Sequence, residues 1–368
     1  MNPISSINSK LSESNKRKFA DLFSGSKNIT VTVEWGTPGF SQIDRLHDAE
    51  KDFASLINRY NMEVEAIEAG FDNVPMLNFS FGGIAYLMAL AYGCEKLEIN
   101  NLVNAPHRLS EMNQTRMLKK PSAIHERGLY PVISERILEF QRRFGDLPVG
   151  ISDNQSPNDV LTSIIATEAV FLACYDTPEA VHRVTGMITD SIIEINRHLR
   201  GLINNFCCFS AARYMPQGMH VSDDNAAFIS PDIYRDFALP YINRLSDEFG
   251  GIHFHCCMGY QQNLANMANA NGFQSLDAKP DFNDIELILN AFRQSPGGVW
   301  YYGTGRSAEL QSKESNHDMY RKIIDRSEGV CGVNFICTGI RDEALKTAEW
   351  IMNYVDKQGR LCQAARVT

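Results

Sequence analysis

The stretch Gly251-Ile252-His253-Phe254-His255-Cys256-Cys257-Met258-Gly259, GIHFHCCMG, places two histidines and two cysteines between an apolar lead and a glycine. Read as an extended strand, it sends residues i and i+2 to the same side. His253, His255 and Cys257 then face one way and Cys256 the other. A helical pattern, SPDIYRDFALPYINRLSDEF, precedes it, and a second one, NLANMANA, follows it before the strand-like GFQSLDA. The stretch is therefore one β unit in a β/α series, and the fold turns on how far that series extends.

It extends over the whole chain. ITVTVEWG, VPMLNFS, LPVGISD, VWYYGTG and VNFICTG are further strand candidates, rich in β-branched and aromatic residues and bounded by turn residues. Between them lie helical patterns at 41–60, 84–93, SPNDVLTSIIATEAVFLACY, TPEAVHRVTGMITDSIIEINRHLRGLI, FNDIELILNAF, SNHDMYRKIIDRS and RDEALKTAEWIMNYVD. Strands alternating with helices indicate a parallel sheet. There are enough units for an α/β fold of the distorted (β/α)8 TIM-barrel type, as a single domain spanning 1–368. Residues 1–25 form an N-terminal helical extension with Phe19, Leu22 and Phe23 on one face. An open doubly wound sheet is the alternative, but no G-x-G-x-x-G turn and no P-loop follows an early strand. Residues 100–147 are less regular and carry one clear helix, VISERILEFQRRFG.

Composition narrows the function. The 368 residues are 44% hydrophobic and carry a net charge of −9. No basic run offers a phosphate-binding surface, which argues against nucleic acid as a partner. No uninterrupted apolar run approaches the roughly 18 residues of a membrane span. The polar N-terminus lacks the apolar core of a signal peptide, so a cytoplasmic location is expected. Nine cysteines in a chain of this size suggest no disulfide framework. Cys94 and Cys174, in apolar surroundings, read as buried small hydrophobes.

Barrel chemistry sits at the C-terminal ends of the strands. That rule selects Glu34-Trp35, Asp153-Asn154, His255–Cys257, Asp277, Tyr301-Tyr302 and Cys337. An imidazole and a thiolate two residues apart on a strand suit Zn²⁺, which takes nitrogen and sulfur donors in a tetrahedral shell. Cys337, closing the last strand, is the expected third ligand; Cys331 precedes that strand and belongs to its other end. Taken alone, a His-x-Cys pair on a strand is more often packing than ligation. A C-x-x-C redox motif is absent.

The segment DDNAAFISPDIYRDFALPYINRLSDEFGGIHFHCCMG resembles a block of uroporphyrinogen decarboxylase-like proteins: Asp-Asp, Ser-Pro-x-x-Tyr/Phe, Pro-Tyr, then a strand ending in His-x-Cys-Gly. The resemblance continues through LACYDTPEAVHRVTGMITD, GFQSLDA, YYGTG and GVNFICTGI, over roughly residues 140–350. Met258 separates Cys257 from Gly259, where the family carries glycine directly after the cysteine. The arginine-rich signature of true uroporphyrinogen decarboxylases is missing: residues 34–40 read EWGTPGF, and Glu34 opposes a polycarboxylate. The resemblance therefore implies the corrinoid-linked methyltransferase branch, with zinc on His255, Cys257 and Cys337. It implies a methyl group moved between a small substrate (a methoxy, methylamine or thiol compound) and cobalamin, free or on a corrinoid-binding protein; a homodimer is also compatible. Asp223 and Asp224 would orient ligands or relay protons, although both also read as acids at a helix start. Glu34 joins them as a candidate catalytic acid. Trp35, Asn154, His220 and Tyr302 are candidates for binding substrate. The alternative is a metal-free decarboxylase of another substrate, or a binding protein without catalysis.

Overall fold

A computed structural model of the chain describes residues 3–79, 86–151, 153–210, 212–305 and 314–362. Eight short parallel strands form a distorted (β/α)8 barrel: β1 (Ile29–Trp35), β2 (Leu77–Phe79), β3 (Val149–Ile151), β4 (Met219–Ser222), β5 (Ile252–His255), β6 (Phe273–Asp277), β7 (Val299–Gly303) and β8 (Gly332–Gly339). Six of them make one hydrogen-bonded sheet in the order β1-β8-β7-β6-β5-β4. The other two, β2 and β3, pair with each other, and Val149 of β3 also forms a parallel bridge with Phe206.

Two seams join these pieces. Between β1 and β2, Asp72 and Asn73 stand in for a strand: the Val31 amide donates to the Asp72 carboxylate at 2.8 Å, and the Asn73 side chain binds both the amide and the carbonyl of Val33. Between β3 and β4, the tie is a single bridge at Gln155 and Ser222. Closure of the barrel there depends on side chains and loops.

Alternation sorts the strand residues into two cores. Ile29, Val31, Val33 and Trp35 of β1, Ile252 and Phe254 of β5, and Val333, Phe335 and Cys337 of β8 pack in the large cluster shared with the helices. Val299 and Tyr301 of β7 and Ile336 of β8 pack in a smaller inner cluster with Val74, Met76 and Ala212. The hairpin of Cys208–Ser210 and Arg213–Met215 enters this inner space. Its Ala212 carbonyl accepts from Thr32 and Asn334, and its Tyr214 carbonyl accepts from Tyr301. Helix α1 (Ser9–Phe23) plugs the same end with Phe19 and Leu22. It lies so close to the start of β8 that a Cβ on Gly332 would meet Leu22 at 2.5 Å. Gly251, at φ +130°, begins β5 in a conformation that L side chains rarely adopt.

Several helices differ from the sequence reading. The expected single helix from Ser156 divides into Pro157–Ile164 and Thr167–Asp176. Between them Ile165 is extended and bridges Leu109, and the Ala166 amide donates to the Leu109 carbonyl. The expected helix at 41–60 becomes Gln42–His47 and Ala49–Glu68, because Asp48 caps the second piece. The helix opening at Ser230 runs into a π segment, Tyr234–Ala238, just ahead of Pro240. A ring without an N–H is accommodated by such widened turns. The start of the expected 84–93 helix lies outside the described residues. Among the described residues, no helix is long and apolar enough to cross a membrane.

Candidate active site

The C-terminal end of β5 is the chemical centre. His253 and His255 alternate with Ile252 and Phe254, so both imidazoles face the barrel interior while the apolar pair faces the helices. Cys257 continues on the imidazole side, and its sulfur lies 3.2 Å from His255 Nε2. Cys256 packs outward, as expected, and burial pushes its thiol well up.

A carboxylate supports the pair from behind. Asp277, at the end of β6 and aligned with His255 across the ladder, places Oδ2 2.9 Å from His255 Nδ1. Burial would push the imidazole pKa down, but Asp277 outweighs it and, with Cys257, carries it up to about 10. Asp277 itself would be raised by burial. The charges of Arg213 and His255 instead hold it far below the usual carboxylate range. The Arg213 guanidinium sits 3.2 Å from the same Oδ2. From the other side, Asp224 accepts the Cys257 amide at 2.8 Å and fixes the backbone that carries the thiol.

A second cluster lies on β4. His220 faces inward, its ring 5.0 Å from that of His253 and 6.0 Å from that of His255. Its Nδ1 is 2.8 Å from Asp153, which also accepts from the Ser222 hydroxyl. Burial lowers the His220 pKa despite Asp153. Asp153 is held below its ordinary value: burial acts upward, but His220 and Ser222 outweigh it.

The remaining expected residues divide by strand face. Glu34 faces inward and is bound by Arg59 at 2.6 Å, with Arg213 also acting on its charge. Trp35, the next residue, is turned to the outer layer, with the Arg341 guanidinium 5.6 Å over its ring; it does not join Glu34 at the mouth. Tyr302 is likewise an outer residue, packed edge-on against Tyr320 and Phe335. Tyr301 is the inner one, 4.9 Å from the His253 ring. Asn154 turns from the mouth toward the helix at Pro178–Leu202 and accepts from Asn196 at 2.9 Å.

Asp223 is fully buried behind the strand end, bound by Ser156 at 2.8 Å and Tyr234 at 2.7 Å. Burial raises it to about 6. Its carboxylate does not reach the mouth, although its backbone amide donates to the His255 carbonyl at 2.8 Å; of the two carboxylates, it is that of Asp224 that holds the Cys257 amide. Its partner in burial is Asp159, which accepts the amides of Asp224 and Asn225.

Cys337 requires a correction. It is fully buried in the outer cluster beside Val333 and Phe335, while Ile336 before it faces the inner cluster. Strand parity thus turns its sulfur away from His255 and Cys257. The three-ligand set expected from the sequence does not fit Zn²⁺: two donors converge and the third does not. Among the described residues, no group of three or more His, Cys, Asp or Glu is arranged to hold a metal ion.

Sequence reasoning missed Arg59 and Arg213 altogether. Arg59 lies mid-helix and Arg213 on an irregular hairpin, so no strand-end rule could select them. Asp153 and Asp277 were legible as strand-end acids, but their pairing with His220 and His255 was not.

The uroporphyrinogen decarboxylase (URO-D) family model matches residues 68–291, more than half of the chain. No curated protein sequence matches it. Among solved structures, a methyltransferase from Methanosarcina mazei is similar in fold. It superposes with a TM-score of 0.64 at 12% sequence identity, over 94% of this chain and 99% of that one.

Proposed function

The chain belongs to the uroporphyrinogen decarboxylase family, and from that premise we propose that it transfers a methyl group between a small substrate and a corrinoid carrier at the mouth of the barrel. One observation carries the reading: Cys257, His255 and Asp277 form a connected series at the C-terminal ends of β5 and β6, with the thiol outermost. Asp277 fixes the orientation of His255 and favours its protonated form. His255 Nε2–H stabilises charge at the Cys257 sulfur. It also lies where an amine or alkoxide leaving group, once parted from its methyl, must take up a proton. Asp224 keeps the Cys257 backbone from drifting.

Two features favour a flat, partly apolar cofactor approaching from outside. Met258 and Phe282 are exposed beside Cys257. Gly259 lets the two loops meet, since a Cβ there would lie 2.7 Å from the Phe282 carbonyl. A decarboxylase reading draws support from Arg59 and Arg213 at the inner face. Both are already paired with Glu34 and Asp277, however, which leaves little positive charge for a polycarboxylate.

The test combines purified protein, reduced cobalamin and a panel of methylamines, methoxy aromatics and methyl thioethers, with methylcobalamin followed by its absorbance. Elemental analysis of protein prepared without chelator reports bound zinc. Methylcobalamin formation that vanishes in Cys257→Ala supports the proposal. Turnover of uroporphyrinogen with no methylcobalamin from any donor overturns it.

A further inference from the structure

Beside the seam between β3 and β4 lies a cavity that the reaction centre does not use. It runs from Asp153 and Asn154 back to the long helix Pro178–Leu202, with about 30 Å³ available to the centres of water-sized groups. Its deeper wall is apolar, formed by residues such as Leu87, Val160, Ile192 and Leu199. Its polar end carries acceptors. Asn196, 1% exposed, lines the cavity. The Asn196 amide nitrogen donates to Asn154 Oδ1 and to the Ile192 carbonyl, each at 2.9 Å. Those two acceptors fix the orientation of the amide and leave Oδ1 as a buried atom with no hydrogen-bond partner. A buried amide oxygen without a donor is costly.

Asp153 is the other acceptor. Its two oxygens offer about four lone-pair positions. The neighbouring donors are the Ser222 hydroxyl, His220 Nδ1 and a long contact from Gln155 at 3.4 Å. The hydroxyl and the amide are neutral donors. A small group with several N–H donors and a positive charge answers Asp153 and Asn196 together.

We propose that this cavity receives the protonated amine of a small alkylammonium substrate, with Asp153 and Asn196 Oδ1 as acceptors and the alkyl chain against Ile192 and Leu199. The proposal rests on the methyl-transfer reading only for the fate of the bound amine. Asp153 and His220 connect the cavity to the mouth, since the His220 ring is 6.0 Å from that of His255.

Titration calorimetry on the full chain compares isobutylammonium with isobutanol and isobutyrate, its neutral and anionic counterparts. The ammonium ion binds at least tenfold more tightly than the alcohol, and the carboxylate does not bind. Asn196→Leu weakens ammonium binding tenfold or more. Leu199→Phe, which fills the apolar end, abolishes it; circular dichroism establishes that each variant is folded, and either folded variant decides the point. Equal affinity for ammonium and alcohol, or wild-type affinity in a folded variant, overturns the proposal. The two readings fail separately. Ammonium binding with no methylcobalamin from any N-methylated amine removes methyl transfer and keeps the cavity. Methylcobalamin from a thioether with no ammonium binding does the reverse.

Discussion

The two halves of this barrel are closed by different means. From β4 through β8 to β1, backbone pairs with backbone in one continuous ladder. Around β2 and β3, closure falls to Asp72, Asn73 and isolated bridges at Phe206 and Ser222. The connected Cys257–His255–Asp277 series stands on the ladder, where strand pairing sets His255 opposite Asp277. The cavity with its unpartnered Asn196 oxygen lies on the patched side. A continuous ladder fixes positions closely; closure by side chains and isolated bridges leaves room. The first suits reacting groups, and the second suits a guest.

The largest expected effect lies on the ladder. Asp277→Ala leaves Arg213 and His255 buried without their carboxylate, and breaking such a buried pair costs about 3–5 kcal/mol. Denaturant unfolding measures it, and a loss below about 1 kcal/mol would mean the ladder does not depend on this group.

The patched side has its own signature, in pH. Glu63 is fully buried at the β1–β2 seam, bound to Asn73 and near Arg59. Burial raises its pKa to about 7 from 4.5. The folded state therefore holds this proton across a range in which the unfolded chain has released it. Stability from this group is fully present below pH 4.5, falls as pH rises toward 7 and is flat above. At about 1.4 kcal/mol per unit, the whole drop is roughly 3 kcal/mol. Subtracting the pH profile of Glu63→Gln from the wild type isolates it; identical profiles would show that the seam does not bury a charge-sensitive group.

Returning to the ladder, Cys257→Ala lowers methyl transfer by about 100-fold, equivalent to about 2.7 kcal/mol in the barrier. Because Cys257 is exposed, unfolding free energy changes by less than about 0.5 kcal/mol. The smallest effect belongs to Cys337→Ala. It removes one buried sulfur from the outer core, costs about 1 kcal/mol and leaves turnover within about twofold. A large activity loss there, without a matching loss of stability, would return Cys337 to the site.

These contrasts also mark how far the sequence could be read. Strand and helix alternation was legible, and with it the barrel, because each element repeats a short local period. The meeting of His255 and Cys257 was legible because it needs only the two-residue repeat of a strand. Cys337 was misplaced because the same repeat depends on where the inner face begins. Nothing local distinguishes Ile336 from Cys337 as the inward residue of an all-buried strand. Trp35 and Tyr302 failed for the same reason, each one residue from the inward-facing Glu34 and Tyr301. Arg59 and Arg213 were hidden differently: they reach the interior from a helix and a hairpin that approach it only after the barrel has closed.

That closure has a consequence for synthesis. β1 finds its ladder partner in β8, with Ile29 aligned to Val333 and Trp35 to Gly339. Inside the seam, the Thr30 hydroxyl donates to Asn334 at 2.8 Å. Some three hundred residues separate these partners, so a ribosome delivers the first strand long before the last. Until β8 emerges, β1 waits with an unpaired edge and an uncovered apolar face, which favours wrong partners. Contacts this distant in sequence also slow folding. The nascent chain thus depends on shielding during translation, and the final strand acts as the latch that ends that dependence.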